Sequence, residues 1–441
     1  MNAAASVLTR AKVVSVWWPL ALSWLLMGVE LPLLSAHVAR LPEPKVQLAA
    51  YGSLVFPICL LIEAPIIMLL AASTALCTDR DRFRRVRGWM NRAGLVLTLV
   101  HLGLALTPLY DIVANDLLDV PGPVAAAGRI GLVIMTPWTW SIAYRRFHQG
   151  ILIRCGHSRV VGLGTFLRAL AGLAVLQVGL HLHDVLEVSG VVVAATAVAT
   201  SVTLEAVFIG VVVRPIVAER LPEPSPDATP LELKAFLAFY LPLAMTPFLT
   251  LLIQPVGAAA MARMPRDLDS LAAWPAVHGL VFLFRSFGFA LNEVVVAHAK
   301  DPGGLAVLRR FTFELAALLV GALLVVALSP LGSLWFGTAS GFAEPLAALS
   351  ASALLLAVLM PGYQTLQSYY QGVLVATGRT RPVTEAVALY LVVSCVGLGI
   401  AATWDFVTGL YAALGVFTIA GLSQTLWVRW RALPALRELS R

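Results

Sequence analysis

The sequence PLALSWLLMGVELPLLSAHVARLPEPKVQLAAY, residues 19–51, returns as PLAMTPFLTLLIQPVGAAAMARMPRDLDSLAAW, residues 242–274. Twelve of the 33 positions are identical without a gap, where roughly three or four would match by chance in a chain so rich in Leu and Ala. A second match follows at nearly the same spacing, between residues 149–159 and residues 371–381. The chain is therefore predicted to contain two copies of one structural unit.

The composition identifies what kind of unit is repeated. Of the 441 residues, 59% are hydrophobic and only 12% are charged, whereas soluble domains carry about 25% charged residues. A chain of this size cannot hide so much apolar surface in a soluble core. The composition thus excludes an ordinary cytosolic enzyme, a secreted disulfide scaffold and a disordered tail, and it predicts an all-α polytopic membrane protein.

Charge and cysteine content exclude further classes. The net charge is +7, but the arginines cluster in short segments between apolar runs, which is typical of a membrane protein rather than a nucleic-acid-binding one. The four cysteines form no CxxC pair, so neither a disulfide framework nor a metal site is expected. Walker and GxGxxG motifs are absent from the sequence, and we expect no cofactor and no enzymatic activity.

Twelve apolar runs are long enough to cross a bilayer. If the N-terminus is inside, the cytoplasmic segments hold 24 Lys and Arg and the outer loops hold four, which predicts cytoplasmic termini. This count places Arg145 and Arg146 in a cytoplasmic segment. We expect a multi-pass inner-membrane protein from a bacterium, with its first apolar run retained as a helix. The predicted spans are 13–36, 47–76, 93–112, 121–144, 160–181, 189–213, 235–260, 272–298, 311–334, 345–371, 383–403 and 407–429.

The repeat and the spans together predict two lobes. Residues 1–215 form an N-terminal six-helix lobe, residues 216–231 a proline-rich cytoplasmic linker, and residues 232–441 a C-terminal six-helix lobe. An even number of helices per copy gives lobes of the same orientation, related by a pseudo-two-fold axis along the membrane normal. A cavity between such lobes is a natural substrate site with alternating access. Two duplicated bundles that form a channel or a scaffold are the alternative.

The sequence also resembles a known group of transporters. Residues 145–154 are RRFHQGILIR, followed by Gly156 and Arg159; this pattern resembles the loop after span 4 in the multidrug/oligosaccharidyl-lipid/polysaccharide (MOP) exporter superfamily, which contains the MATE transporters. Residues 50–82 resemble the progressive ankylosis (ANKH-type) branch through Ala50-Tyr51-Gly52, Ala64-Pro65 and Asp79-Arg80-Asp81-Arg82. The resemblance implies export of pyrophosphate, nucleotide or citrate-like anions.

Charged residues inside spans are costly and are usually functional. Glu63 and Arg285 fall near the middle of the repeat-related spans 2 and 8, which suggests either a substrate site or a structural ion pair. His278, Arg285 and Asn292 are spaced by seven residues and so share one helix face. An arginine with a histidine and an amide suits a phosphate or carboxylate, or it is a polar stripe packed against neighbouring helices.

Three further residues complete the predicted substrate site. Arg129 lies in the outer third of span 4, where it either faces the cavity or extends to the lipid headgroups. Tyr363 and Gln367 share a face of span 10 and offer hydrogen bonds to a polar substrate, or belong to an aromatic belt at the interface.

Ion coupling and hinge motion are assigned to a second set of residues. Glu30 and Glu63 are candidates for proton or sodium coupling, because a desolvated carboxylate takes up a proton more readily. Proline frees backbone carbonyls within a span, and Pro32, Pro255 and Pro361 are the predicted hinges.

These predictions lead to a secondary active exporter of a small organic or phosphate-containing anion, acting as a monomer without nucleic acid. A flippase for a lipid-linked anionic intermediate is the first alternative, and it requires an apolar groove for the lipid tail. An exporter of cationic drugs coupled to H⁺ or Na⁺ is the second, and it would use Glu30 and Glu63 as binding charges.

Overall fold

The structure is a computed structural model that describes residues 8–224, 229–379, 381–403 and 406–440. All regular secondary structure in these ranges is helical, as the composition predicts. Twelve principal helices follow one another: α1 Arg10–Val38, α2 Pro44–Leu76, α3 Arg80–Leu106, α4 Gly122–Arg154, α5 Ser158–Leu186, α6 Gly190–Arg220, α7 Leu233–Ala262, α8 Asp267–His298, α9 Gly304–Leu328, α10 Glu344–Ala376, α11 Arg381–Ala401 and α12 Gly409–Leu439.

The helices agree with the predicted multi-pass membrane protein. Eleven helices in the described ranges are long and apolar enough to cross a membrane. The remaining predicted span, 121–144, lies within α4, whose 33 residues extend about 50 Å and exceed a hydrocarbon core of about 30 Å. Because α4 continues to Arg154, the prediction that Arg145 and Arg146 lie in a loop is wrong.

The backbone repeats where the sequence repeats. Glu43 and Arg266, which are 223 positions apart, both adopt the left-handed conformation before a helix, with φ of 50° and 59°. Gly156 and Gly378 end α4 and α10 with φ of 81° and 73°. The same pattern of capping hydrogen bonds closes both helices, including bonds of 2.8 Å from His157 N to Leu152 O and from Arg379 N to Leu374 O. Such closures are the usual way in which glycine ends a helix.

Even irregular segments recur at this spacing. The extended residues Thr107 and Ser329 end α3 and α9, with ψ of 170° at both. Each is followed by a short helical turn and then by a π-helical segment, Ile112–Leu117 in the first half and Leu334–Ala339 in the second. Two segments that differ in sequence but share these rare conformations preserve one backbone design.

Contacts group the chain into two compact units. The N unit comprises His37–Ala262, and the C unit comprises the residues up to Ala36 together with Arg263–Arg441. This grouping differs from the predicted lobes because each unit takes in the first helix of the other half. The linker also starts later than predicted, since α6 runs to Arg220; residues 225–228 of the linker lie outside the described ranges.

Specific contacts hold the exchanged helices. In the C unit, Trp17 of α1 donates from Nε1 to Phe287 O at 2.9 Å and packs edge-on against Phe311. In the N unit, Tyr240 of α7 donates its hydroxyl hydrogen to Pro65 O of α2. Buried Trp and Tyr side chains require such partners, so these two residues fix the helices in their units.

Two of the predicted hinge prolines interrupt their helices. A proline removes the bond to the carbonyl four residues earlier and clashes with it. Accordingly, α7 is interrupted at Leu252, three residues before Pro255, and α10 is interrupted between Ala357 and Met360, just before Pro361. Helix α1 continues through Pro32, which packs in the C unit against Gly279. Movement at these prolines stays a prediction.

Candidate functional site

Arg285 projects from the middle of α8 in the C unit. Its Nη2 donates to Gln364 Oε1 of α10 at 2.7 Å, and its guanidinium lies 5.4 Å from the centre of the Phe289 ring. Its Nε is buried without a hydrogen-bond partner. No ion pair joins Arg285 to a carboxylate among the described residues of its unit. The cation is thus supported by a neutral amide and an aromatic face, and its charge is left uncompensated there.

Close packing of α8 on α10 places these groups together. Gly288, one turn from Arg285, faces the backbone of Thr365, and a Cβ there would lie 2.7 Å from Thr365 Oγ1 and 3.1 Å from its nitrogen. Small residues allow helices to approach in this way. The close approach brings Gln364, which is 5% exposed, within reach of Arg285. Sequence reasoning missed Gln364, since an amide among apolar residues gives little signal.

The predicted stripe on α8 is only partly continuous. His278 stacks on Trp274 with ring centroids 5.2 Å apart, and Phe282 contacts both His278 and Phe289. The helix is interrupted at Ala290, before Asn292. Asn292 Nδ2 instead donates to Ser368 O at 3.2 Å.

Tyr363 and Gln367 contact α12 rather than an open cavity. The Tyr363 hydroxyl donates to Phe417 O at 3.4 Å. Gln367 Nε2 contacts Gly421 O and Thr425 Oγ1, both at 3.0 Å, and Gln424 Oε1 at 3.2 Å. These bonds join α10 to α12, so both side chains serve the packing of the C unit; their predicted role toward substrate stays a prediction.

The N unit contains a buried charge network that sequence reasoning missed. Glu205 of α6 has a fully buried side chain and pairs with Arg145 Nη1 of α4 at 2.5 Å. Gln149 Nε2 donates to the other carboxylate oxygen at 3.0 Å, and Arg168 Nε of α5 lies 3.8 Å away. The signal in the sequence was the lack of a helix stop: glycine first appears at the αL position of Gly156, well after the two arginines.

The internal repeat offers a neutral counterpart of this network. Arg145 corresponds to Gln367 at a spacing of 222 residues. The N-terminal residues of α6 and α12, Gly190 and Gly409, are 219 residues apart, and at that spacing Glu205 corresponds to Gln424. Gln367 and Gln424 are themselves in contact. One position between two helices therefore holds an ion pair in one half and an amide pair in the other.

Glu63 and Arg146 lie beside this network without sharing its bonds. Glu63 of α2 is 5% exposed, and its Oε2 has no hydrogen-bond partner among the described residues. Arg146 of α4 is half-buried, and its buried Nε is also without a partner. Of the charges acting on Glu63, that of Arg146 acts most strongly.

Arg129 and Glu30 take different positions. Arg129 pairs with Asp111 at 2.6 Å and lies over the Tyr110 ring at 4.7 Å, with its side chain 40% exposed. This geometry matches a cation at the end of a span rather than one buried in a site. Glu30 is half-buried in α1, two residues before Pro32.

The fold is that of the MATE-type transporters of the MOP superfamily. A multidrug-resistance MATE transporter in an inward-facing conformation superposes with a TM-score of 0.70 and 15% identity, covering 97% of this chain and 100% of that one. A MOP transporter from Pyrococcus furiosus, described as having a binding pocket of reverse polarity, gives a TM-score of 0.62 and 16% identity, covering 97% and 96%. The lipid II flippase MurJ in an inward closed conformation gives 0.69 and 13%, covering 96% and 89%. No protein-family model matches the sequence, and comparison with curated proteins finds no significant match.

Proposed function

We infer that this multi-pass membrane protein is a secondary active transporter that exports a small organic or phosphate-containing anion by alternating access. The observation that carries this proposal is Arg285, whose charge meets no carboxylate among the described residues of the C unit. A cation inside a membrane span is costly unless it is compensated. An anionic substrate would supply the missing charge through bidentate hydrogen bonds.

The internal repeat supports a functional rather than a structural role for this arginine. Positions 62 and 142 of the first half correspond to Arg285 and Gln364, and both are isoleucine. The backbone design therefore does not need a polar pair at this place. A costly arginine that the fold does not require is best explained by what it binds.

The overall charge balance points the same way. The sequence alone counts more glutamates than arginines inside the spans, which favours a cationic substrate. The structure adds Arg145, Arg146 and Arg168 to the buried or half-buried side chains. With Arg285 they outnumber Glu63 and Glu205, so the interior of the described helices favours anions.

The MOP fold accommodates such a change of substrate charge. In the Pyrococcus furiosus transporter, the reverse polarity of the binding pocket suggests a different function for that protein. For this chain we propose an anion of the pyrophosphate, nucleotide or carboxylate type, in keeping with the resemblance to the ankylosis branch. Proton or sodium coupling through Glu30 and Glu63, a monomeric state and a bacterial inner membrane are parts of the same proposal.

A flippase for a lipid-linked anion is the second candidate. An apolar groove of about 510 Å³ runs along α8 in the C unit and would suit an acyl or prenyl tail; its lining includes Leu280, Leu283, Phe287 and Trp335. At about 100° per residue, Leu283 and Phe287 lie on the face of α8 opposite to Arg285. A headgroup held at Arg285 would thus be separated from its tail, which places the flippase second.

The test is export by intact cells. The medium of cells that overproduce the protein is compared by untargeted metabolomics with that of Arg285→Ala cells at equal abundance. Arg310→Ala is the matched control, since Arg310 is 80% exposed in the same unit and pairs with Glu314. We expect an anion to accumulate with the wild type and the control but not with Arg285→Ala. An unchanged medium would refute small-anion export and bring the flippase forward.

A further inference from the structure

Two opposite charges of the N unit remain without partners although they are close enough to interact. Glu63 and Arg146 form no hydrogen bond or ion pair among the described residues, yet each is the leading opposite charge acting on the other. Buried charges normally pair or bind an ion. A carboxylate and a guanidinium that stay apart inside a helical bundle leave room for something between them.

The neighbouring network does not satisfy these charges. Glu205 is already bound by Arg145 and Gln149 and approached by Arg168. Three arginines thus face two glutamates, which gives a net charge of +1 when both glutamates are ionised. Removing the charge of Glu63 by protonation raises this to +2.

Rigid contacts frame the gap on one side. Ser73 Oγ of α2 donates to Phe147 O of α4 at 2.8 Å, and Thr74 Oγ1 donates to Gly150 O at 3.0 Å. A Cβ at Gly150 would lie 2.2 Å from Leu70 O, so α2 and α4 are in direct backbone contact here. These bonds are one turn or less from Arg146. They hold the two helices in place while the charges stay unpaired, as in a preorganised binding site.

The internal repeat shows that the fold does not require this pair. At spacings of 223 and 222 residues, Glu63 and Arg146 correspond to Ser286 and Ser368. Ser286 Oγ bonds to Leu283 O in its own helix, and Ser368 is buried. The second half therefore keeps the same backbone with two small neutral residues, and the charges of the first half need another explanation.

We propose that Arg146 binds an oxyanion, a phosphate or carboxylate group, and that Glu63 is the carboxylate which competes with it, so that the oxyanion and a proton on Glu63 bind together. With Glu63 ionised, Arg146 is partly compensated by the protein itself. With Glu63 protonated, the oxyanion takes its place. Linkage is reciprocal, so oxyanion binding also increases the proton affinity of Glu63. Arg146 lies eight residues before the end of α4, about 12 Å along the axis, which is the depth an anion must reach from that end.

Other titratable groups around Glu63 are engaged elsewhere. His101 of α3 bonds to Thr139 and to Leu132 O, and Tyr240 of α7 donates to Pro65 O. Cys59 lies one turn away on the same helix and contacts His101. The charged groups that face Glu63 are Arg145 and Arg146 of α4 and Arg168 of α5, with Glu205 of α6 bound to Arg145. Glu63 is the carboxylate among these groups that is not already bound by an arginine, so a single-proton linkage is expected.

The role of the Glu63 proton rests on the coupling proposed above, whereas the oxyanion site does not depend on Arg285. Binding to the purified full chain in lipid nanodiscs tests it by calorimetry, with sulfate and oxalate as separate probes because both keep a constant charge between about pH 6 and pH 8. We expect the Kd for the preferred probe to rise up to ~10-fold per pH unit, with about one proton taken up per anion bound. The two probes distinguish phosphate-like from carboxylate recognition.

Variants decide between this site and others. Glu63→Gln should bind the anion tightly at every pH, without proton uptake. Arg146→Gln should weaken binding by ~30-fold or more, while Arg146→Lys, which keeps the charge, should retain part of it. Arg154→Gln, further along the same helix and bonded to Thr74 O, is the matched control and should bind as the wild type does.

Two results would overturn the inference. One is a Glu63→Gln protein that keeps the pH dependence of the wild type. The other is binding that survives Arg146→Gln but is lost in Arg154→Gln, which would move the anion to the polar pocket of about 530 Å³ lined by Arg154 and Arg220. Arg285→Ala separates the two proposals, since it should abolish transport and leave this proton-linked binding unchanged.

Discussion

Replacing Glu205 by glutamine should destabilise the protein far more than replacing Arg145. Glu205 is the single carboxylate shared by Arg145 and Gln149, with Arg168 3.8 Å away. Arg145 is 6% exposed, so the loss of Glu205 would leave a buried guanidinium without a counter-charge, at a cost of about 3–5 kcal/mol. Arg145→Gln leaves Glu205 with its remaining partners and should cost about 1–3 kcal/mol.

The double variant Arg145→Gln/Glu205→Gln should be close to the wild type. It recreates in the N unit the amide pair that Gln367 and Gln424 already form in the C unit. We expect a free energy of unfolding within about 1 kcal/mol of the wild type, since neutral replacements of buried ion pairs are often tolerated. The two single changes would then couple by about 3 kcal/mol or more.

Unfolding in mixed micelles with increasing SDS, followed by circular dichroism, gives all four free energies of the cycle. Glu438→Gln is the control, because Glu438 is 61% exposed in its pair with Arg379 and should change stability by less than about 1 kcal/mol. Additive single effects, or an Arg145→Gln variant less stable than Glu205→Gln, would refute the reasoning that Glu205 organises the network.

Three further variants test other parts of the structure with the same unfolding assay. Gly150→Ala would place a Cβ 2.0 Å from Ser73 Oγ and should cost about 3 kcal/mol or more, whereas Gly103→Ala, with nothing within 4 Å, should be neutral; equal stabilities would contradict the close contact of α2 with α4. Asp79→Ala removes the side chain that accepts the Arg82 amide at the start of α3 and should cost about 1 kcal/mol. Burial raises the pKa of Asp79, but the hydrogen bonds that it accepts outweigh this and lower the pKa; the contribution of Asp79 is therefore complete above the pKa of an unfolded Asp and is lost as the pH falls through the lowered value, a pH dependence that Asp79→Ala should not show. Gln367→Met should reduce stability by about 1–3 kcal/mol; a fully stable variant that no longer transports would instead support the predicted contact of Gln367 with substrate.

The sequence predicts the backbone better than it predicts the site. Leu41-Pro42-Glu43 aligns with Met264-Pro265-Arg266, and the structure gives both segments the same left-handed residue before a helix. Local steric rules act on short segments, so a repeat in sequence becomes a repeat in conformation. The contact grouping that exchanges α1 and α7 between units was not predicted, because it depends on distant contacts such as that of Trp17 with Phe287.

Arg145 and Arg146 show why the charge network was missed. The positive-inside rule assigns a side to an arginine from its position between apolar runs, and it contains no information on whether the helix has ended. The residues that follow, Phe147 to Arg154, include no helix stop, and the helix continues through them. An arginine that follows an apolar run belongs to a loop only if something ends the helix before it.

The repeat within the chain supplies the information that a single sequence otherwise lacks. Where both halves keep a contact in different chemistry, as Arg145 with Glu205 and Gln367 with Gln424 do, the contact serves the fold. Where one half has a charge and the other a small or apolar residue, as Glu63 and Ser286 or Arg285 and Ile62 do, the fold is satisfied without the charge. Such charges are expensive inside a membrane, so they persist only if binding or coupling requires them. On this reasoning the asymmetry between the halves, more than the abundance of charge, identifies the residues that act on the substrate.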